Sequence, residues 1–396
     1  MSTLRRHFLQ SSILVLPAGA RGANSRPAFG LIGCGLRGRF LSRAAQTLGA
    51  ECVALCDVYE PHLQLAAKDA PRAKTFADPR DLLAQPGVDF VFIATPDHHH
   101  CPQLLDSLAA GKDVFLEKPM SHSLAESAKM VAAVRKTNRI VQIGMHRRSS
   151  EFMFRAKKVI DDGLLGRITM VRTQWKWNFA RPISNAPLEG KLDWDRFRGT
   201  ARPRPFEPRF FRRWRSFWDF SGGNTADQGT HLMDVIQWFT GSPTPKSAVM
   251  SGQIAKMTGG EVPDVFCAVF EYPNFVATFT LNYCNDYQTH WSFEFQGDKA
   301  TLVIDDQGFA VWEEPALNSF STRAWWAEHN KPILAEKGRV VDEDHVRSFL
   351  ECLRSRREPT APVETGASAV APLHLANLAY LQRRVVQLAP DGVTVS

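Results

Sequence analysis

No apolar run in this 396-residue chain approaches the ~20 residues that a membrane-spanning helix needs. No integral membrane span is therefore expected. Internal repeats and long low-complexity tracts are also missing, which argues against a solenoid or a disordered scaffold. Paired cysteines are missing as well. Cys34, Cys52, Cys56, Cys101, Cys267, Cys284 and Cys352 form an odd, scattered set, unlike a disulfide framework or a zinc site. Cys52 and Cys56 fall on an expected strand and read as buried apolar thiols. The one tempting metal cluster is His98-His99-His100. Adjacent residues share no face on a strand or helix, and no second ligand group accompanies them, so no metal is expected.

Acidic residues are outnumbered, leaving a formal net charge of +7. Much of that excess lies in residues 196–215, where eight arginines alternate with Phe206, Phe210, Phe211 and Trp214. Basic plus aromatic can mean nucleic acid. Pro203, Pro205 and Pro208 instead suggest an extended arm, packed on a subunit or lining a sugar cleft, with an acidic carbohydrate as the alternative and no nucleic-acid partner expected.

An apolar content of 44% over this length suits a globular protein of two domains. The first residues read differently. Leu4-Arg5-Arg6-His7-Phe8-Leu9-Gln10 has the form of a twin-arginine export signal, followed by an apolar stretch at 13–20 and the small residues Ala18-Gly19-Ala20. Residues 1–26 are therefore set apart from the fold. A periplasmic or otherwise exported protein, handled by the twin-arginine machinery, is expected. That pathway moves folded proteins, so a cofactor can be loaded beforehand.

From residue 27 to 146 strand and helix signals alternate, as in a doubly wound parallel sheet. Apolar runs at 28–32, 52–56, 88–94, 114–116 and 140–143 have strand character. Helical patterns occupy 37–48, 102–110 and 124–136. The first turn reads Gly33-Cys34-Gly35-Leu36-Arg37-Gly38, and Asp57 closes the next strand 22 residues past Gly35. That is a dinucleotide-binding turn in its proper context. Gly33 allows the tight turn, Gly35 admits the pyrophosphate, and Gly38 permits close helix–strand packing. Leu36 and Arg37 share the helix N-terminus, which attracts phosphate. Asp57 is placed to accept the ribose hydroxyls and repel a 2′-phosphate, favouring NAD over NADP.

After residue 146 the pattern changes. Strand-like runs at 168–173, 265–270, 275–281, 291–296 and 301–304, some at hairpin spacing, predict an open, mostly antiparallel sheet in an α+β domain spanning 147–340. Helices are expected at 344–356 and 371–387, within a C-terminal segment, 341–396, that the sequence does not assign to either domain.

Two segments carry candidate chemistry. Glu117-Lys118-Pro119 follows a strand, where a lysine faces the cofactor crevice and can stabilise a developing alkoxide. A helix is expected at 225–239, N-capped by Asn224. Asp227 and His231 are four apart and share a face, with Asp234 and Trp238 continuing the stripe. Histidine titrates near neutrality and suits proton transfer from an alcohol.

Together these residues resemble the glucose-fructose oxidoreductase / inositol dehydrogenase family, Gfo/Idh/MocA. The marks are the Gly33, Gly35 and Gly38 turn, Thr95-Pro96 with His100, Glu117-Lys118-Pro119, and Asp227 with His231. The resemblance implies a Rossmann domain followed by an open-sheet domain. It implies catalytic roles for Lys118, Asp227 and His231. It adds Thr95, Pro96, His100, Glu117 and Lys118 to the NAD-binding residues, NADP not being excluded. His98, Arg148, Trp175, Trp177 and Asp234 are substrate candidates. Trp175, Trp177, Trp214 and Trp218 are rings for stacking on a sugar, with core packing the equal alternative for each. Residues 194–218 look like exported members of the family, and their arginines depart from the shorter dehydrogenases. The resulting expectation is an exported NAD(P)-dependent oxidoreductase acting on a sugar, polyol or glycoside, as a homo-oligomer (dimer or tetramer). Two alternatives remain at this stage: glycoside cleavage by oxidation, elimination and re-reduction, and a silent NAD(P)-binding protein.

Overall fold

The structure, a computed structural model, describes residues 26–287, 290–314 and 331–396. The expected export segment lies outside these residues, apart from Arg26.

The first domain runs β1 (Ala28–Ile32), α1 (Leu36–Thr47), β2 (Glu51–Cys56), α2 (Glu60–Asp69), β3 (Lys74–Phe76), α3 (Pro79–Leu83), β4 (Phe90–Ile93), α4 (His100–Ala109), β5 (Asp113–Leu116), α5 (Leu124–Arg135) and β6 (Val141–Ile143). The strands form a six-stranded sheet in the order β3-β2-β1-β4-β5-β6, with every pairing parallel. Both faces carry helices. That is why β1, β4 and β5 are buried at every position and read as unbroken apolar runs. Leu31, Phe90, Phe92 and Phe115 face one layer, and Ile32, Val91, Ile93 and Leu116 the other. The chain reverses direction across the sheet between β1 and β4, which opens a crevice beyond their carboxyl ends.

The second domain begins with α6 (Glu151–Asp161) and the long strand β7 (Ile168–Asn178). Two short helices, α7 (Trp194–Arg198) and α8 (Pro208–Arg212), precede the central helix α9 (Gly223–Thr240). Then come β8 (Ser247–Gln253), β9 (Val265–Glu271), β10 (Val276–Asn282), β11 (Cys284–Asn285), β12 (Trp291–Gly297), β13 (Ala300–Asp305), β14 (Gly308–Glu313) and β15 (Leu334–Lys337). Their sheet is antiparallel except where β7 meets β10. Strand β9 alternates strictly, turning Phe266, Ala268 and Phe270 inward and Cys267, Val269 and Glu271 outward. One face of the sheet is thus a core surface and the other is open.

The closing helices divide between the domains. Helix α10 (Glu343–Ser355) returns Val346, Phe349 and Leu350 to the first domain's core. Helix α11 (Val363–Gln382) sets Val363 and Ala369 against the first domain, and Leu373, Leu375, Ala376 and Ala379 against the second. It begins eight residues before the expected start and stops five short of the expected end. Pro372 inside the helix masks the upstream turns in the sequence. At the other end Arg383 turns left-handed, with φ 56°, and the chain extends into β16 (Val386–Gln387) beside β8.

The arginine-rich segment is not the extended arm its prolines suggest. It folds into α7, α8 and a 3-10 turn at Trp214–Ser216. Phe197, Phe210, Phe217 and Phe220 make a small core of their own, with Trp194, Phe211 and Trp214 packed on it. Burying these rings outweighs the local preference of the prolines for extension. The segment is also latched onto the first domain. Asp193 N–H donates to the Val58 carbonyl at 2.9 Å, and Glu60 N–H to the Lys191 carbonyl at 2.9 Å. The Phe211 ring lies 4.8 Å from that of Tyr59. The outcome is a strap that crosses the crevice.

Candidate active site

The turn after β1 is shaped for close approach. Gly33 has φ +92°, and a Cβ on Gly38 would sit 1.9 Å from the Gly33 carbonyl oxygen. Only glycine lets α1 start this near β1. Leu36, 89% exposed at the helix start, stands open on the crevice wall. Asp57 is fixed from both sides: Oδ2 accepts from Cys34 N–H at 2.7 Å, and Oδ1 from Tyr59 N–H at 2.8 Å. Gly33, Gly35, Leu36, Arg37, Asp57, Thr95 and Pro96 all line a cavity of about 750 Å³, with strap residues Phe197, Phe211 and Trp214 as its other wall. Gly38 does not line it and acts through packing.

A second cavity, of about 490 Å³, continues from the first and shares Arg37, Thr95 and Arg215 with it. Lys118, Asp227 and His231 meet here. Lys118 Nζ donates to Asp227 Oδ1 at 2.8 Å and to the Asp227 carbonyl at 2.8 Å. Arg215, from the strap, reaches Asp227 Oδ2 at 3.2 Å. Burial alone would raise the Asp227 carboxyl, but the Arg215 and Lys118 charges outweigh it and hold the acid well below the usual carboxylate range. Asp227 is thus a fixed anion that orients two cations. Among the described residues no hydrogen bond joins it to His231.

His231 sits one turn further along α9. Its ring stacks on Trp175 at 5.8 Å and meets His146 edge-on at 4.8 Å. Burial, reinforced by the positive charge of Lys118, pushes the imidazole well below its ordinary pKa. A neutral imidazole is a proton acceptor. The wall behind it is cationic and aromatic. Arg147 donates to the His231 carbonyl at 3.1 Å and lies 4.1 Å over the Trp291 ring. Burial lowers its guanidinium to about 9. Trp177 also lines the cavity and stacks on Tyr283.

Two expected residues brace the site, His100 from behind it and Glu117 from its wall. His100 places Nδ1 2.7 Å from the Pro119 carbonyl and Nε2 2.9 Å from the Thr95 carbonyl, bracing the two loops that carry Lys118 and Thr95. Glu117 lines the cavity, and its Oε1 accepts from Arg37 at 2.6 Å. Other expectations are corrected. His98 lies with both ring nitrogens against the carbonyls of Phe197 and Phe220, packed on the Phe220 ring; it lines neither cavity. Arg148 and Asp234 pair with each other at 2.7 Å, Asp234 being 1% exposed, and neither reaches the cavity. Trp218 donates to the Glu261 carbonyl at 3.1 Å and points elsewhere. Asn224 is not the N-cap of α9. Gly222 takes that position, while Asn224 donates to the Pro263 carbonyl at 2.8 Å. The helix is buried on nearly all sides, so the face that carries Asp227 and His231 looks into a cavity and not toward bulk water.

Arg37, expected at the cofactor phosphates, also bridges Glu117 and Asp342, its Nη1 donating to Asp342 Oδ2 at 2.5 Å. Residues that the sequence did not single out complete the site. His146 Nε2 is 3.5 Å from Asp342 Oδ1. Asp342 arrives from the start of α10, some 300 positions from Arg37, and no local spacing could have announced it. Arg215 could have been sought among the strap arginines, but its pairing with Asp227 depends on how the strap folds. Among the described residues no group of three or more His, Cys, Asp or Glu could hold a metal.

Comparison with known proteins agrees with this architecture. Residues 28–145 match the sequence model of the Gfo/Idh/MocA oxidoreductase family with an NAD-binding Rossmann fold, and residues 153–303 match that family's C-terminal domain. An inositol 2-dehydrogenase from Gluconacetobacter diazotrophicus is 35% identical over 146 residues, 36% of this chain and 43% of that protein. An uncharacterised oxidoreductase from Bacillus subtilis, YrbE, is 25% identical over 53% of this chain and 56% of its own. The chain thus matches only about half the length of these relatives, or less. In three dimensions the WlbA dehydrogenase from Bordetella pertussis, solved with NADH and UDP-GlcNAcA, superposes with a TM-score of 0.70 at 22% identity, over 92% of this chain and 99% of that one. A levoglucosan dehydrogenase solved with NADH and levoglucosan gives 0.70 at 18%, with the same coverage. These likenesses establish the shared two-domain fold, and with the two matched segments they mean that the chain belongs to the Gfo/Idh/MocA oxidoreductase family, its NAD-binding Rossmann domain preceding the family's C-terminal domain.

Proposed function

We propose that the protein is an NAD-dependent oxidoreductase that moves hydride between a hydroxyl-bearing carbon of a sugar, polyol or glycoside and a cofactor it keeps bound. The observation that carries this reading is the meeting of Lys118, Asp227 and a neutral His231 in a cavity continuous with the dinucleotide crevice. The crevice residues fit NAD: a glycine turn that admits a pyrophosphate, an exposed Leu36 for the cofactor to cover, and an acid at the end of β2. When bound, NAD⁺ supplies the hydride acceptor. The chain's own residues do the rest. Lys118, aimed by Asp227, donates to the substrate oxygen and stabilises its developing negative charge. His231 accepts the hydroxyl proton as the carbon gives up its hydride, leaving a carbonyl product. The partly identical inositol 2-dehydrogenases make a cyclic polyol or sugar the natural first class to test.

The strap favours a refinement. It closes over the crevice from the second domain and is tied down at Val58, Tyr59 and Glu60, so cofactor escape requires unlatching it. Retention suits the twin-arginine motif at Arg5-Arg6, because an exported enzyme has no large NAD(H) pool to draw on. Its turnover would then be redox-neutral. Either a second carbonyl substrate reoxidises the bound cofactor, or one glycoside is oxidised, cleaved by elimination and reduced again. Incubation with a carbohydrate panel tests the function, reading reduced-nicotinamide absorbance together with ketosugar or released sugar by mass spectrometry. Failure of every neutral and charged member to react would remove the oxidoreductase reading and leave a cofactor-binding protein. Export is tested separately: Arg5→Lys with Arg6→Lys should hold the precursor in the cytoplasm, and unchanged delivery in fractionation would reduce the motif to a basic tail.

A further inference from the structure

The strap holds eight arginines within residues 196–215, and their pairing is uneven. Arg196 meets Asp193 and Asp78, Arg198 meets Asp195, and Arg202 and Arg204 both meet Asp219. Arg209 pairs with Glu207 at 3.0 Å and Arg215 with Asp227 at 3.2 Å. Among the described residues only Arg212 and Arg213 lack a carboxylate partner. Both line the catalytic cavity. The charge left over after internal pairing is therefore concentrated at one place, the wall of the cavity that His231 also lines.

The two differ in what they are free to do. Arg212 is engaged by the carbonyls of Ala186 and Pro187 and also borders the dinucleotide crevice. Arg213 lines the catalytic cavity and not that crevice. Its backbone is fixed, N–H to the Arg209 carbonyl at 2.9 Å and carbonyl to Ser216 N–H at 2.7 Å, while the residue is exposed and its guanidinium has no partner among the described residues. The other cations of the cavity are already matched, Arg37 by Glu117 and Asp342, and Lys118 and Arg215 by Asp227. A guanidinium held by its backbone beside a sugar-sized cavity, with its fork vacant, is suited to a carboxylate or a phosphoryl or sulfuryl group.

We propose that the substrate is an anionic carbohydrate whose charged group binds Arg213, with Arg212 adding to the local field, while the reacting hydroxyl sits at Lys118 and His231. The inference rests on the oxidoreductase reading above and names the substrate class of the same site. A uronate places a carboxylate directly on the ring, and a sugar 6-phosphate places its charge two bonds further out, so matched pairs separate these sources. The test measures KM with the cofactor-loaded protein for methyl glucoside against methyl glucuronide, methyl galactoside against methyl galacturonide, and glucose against glucose 6-phosphate. The anionic member of at least one pair should have a KM about 10- to 100-fold lower, as expected for one charge-assisted contact. Arg213→Gln should raise that KM toward the neutral sugar's value, and Arg202→Gln, whose partner is Asp219, should leave it in place. Neutral and anionic sugars of equal KM, or an anion preference indifferent to Arg213→Gln, would overturn the proposal while leaving the oxidoreductase in place. If no sugar of either charge reduces the cofactor, both readings fail together.

Discussion

At the scale of residues, the site separates a fixed anion from a mobile proton. Asp227 is held between Lys118 and Arg215, so it stays charged and sets where Lys118 points. Lys118→Ala should fold and bind NAD, because Arg215 still neutralises Asp227, yet turn over about 10²–10⁴-fold more slowly, the usual cost of losing a positioned acid–base or electrostatic group. His231→Ala should lose a similar factor. Rates within a few-fold of wild type for either variant would remove that residue from the mechanism. The pH profile follows from the same burial. His231 must be unprotonated to accept a proton, and its pKa is well below the ordinary histidine value. The oxidation rate should therefore hold as pH falls through 6.5, the usual imidazole value, and decline only further down. An acidic limb centred near that ordinary value would show that His231 is solvated in the working enzyme. Asp57 makes a separate prediction. Its carboxylate, pinned by Cys34 and Tyr59, should favour the ribose hydroxyls over a 2′-phosphate. Dissociation constants showing tighter NADP binding would contradict that.

At the scale of elements, what the sequence makes legible follows from how local each cause is. β1, the glycine turn and α1 are read from adjacent residues, and they form as expected. Helix α9 is equally visible, because Asp227 and His231 need only helical spacing to share a face. Its polar cap is misread, since Asn224 is drawn away by the Pro263 carbonyl, a contact that exists only once the loop before β9 is in place. His98, Arg148 and Asp234 look like site residues by position, but each finds its partner inside the fold. The strap departs furthest from expectation. Prolines argue for extension, and only the packing of Phe197, Phe210, Phe217 and Phe220 folds it across the crevice. That packing gives an element-scale prediction. Phe211, on the strap's first-domain side, contacts Tyr59 and His62. Phe211→Ala should loosen the latch and speed cofactor release, measured as nucleotide lost on repeated buffer exchange. Equal retention in the variant would mean that the strap does not govern escape.

At the scale of the whole molecule, buried histidines tie stability to pH. Burial pushes His99 and His345 down to about 4 and His374 to about 3, and it pushes His98 and His231 well below their ordinary value. In the unfolded chain these rings take up protons near 6.5, the ordinary value; in the folded protein they do not until pH is far lower. The stabilisation is complete above 6.5 and is lost as pH falls through the window toward 4, each ring contributing up to about 1.4 kcal/mol per pH unit there. The raised carboxyls of Asp97 and Asp234 act in the opposite sense, but they are two groups against five. The melting temperature should fall steeply between pH 6.5 and 4, and a flat profile would mean that these histidines are not buried neutral. The open face of the second sheet pairs Val249 with Val269, both exposed; light scattering tests the homo-oligomer expected from the sequence. A strapped oxidoreductase of this kind should hold its cofactor through turnover. The most direct test is to purify the protein without added nucleotide, denature it, and quantify NAD(H) and NADP(H) in the supernatant against protein. Near-stoichiometric NAD(H) is the expected result, whereas a protein that emerges empty, needs added NAD and releases NADH at each turnover would contradict it.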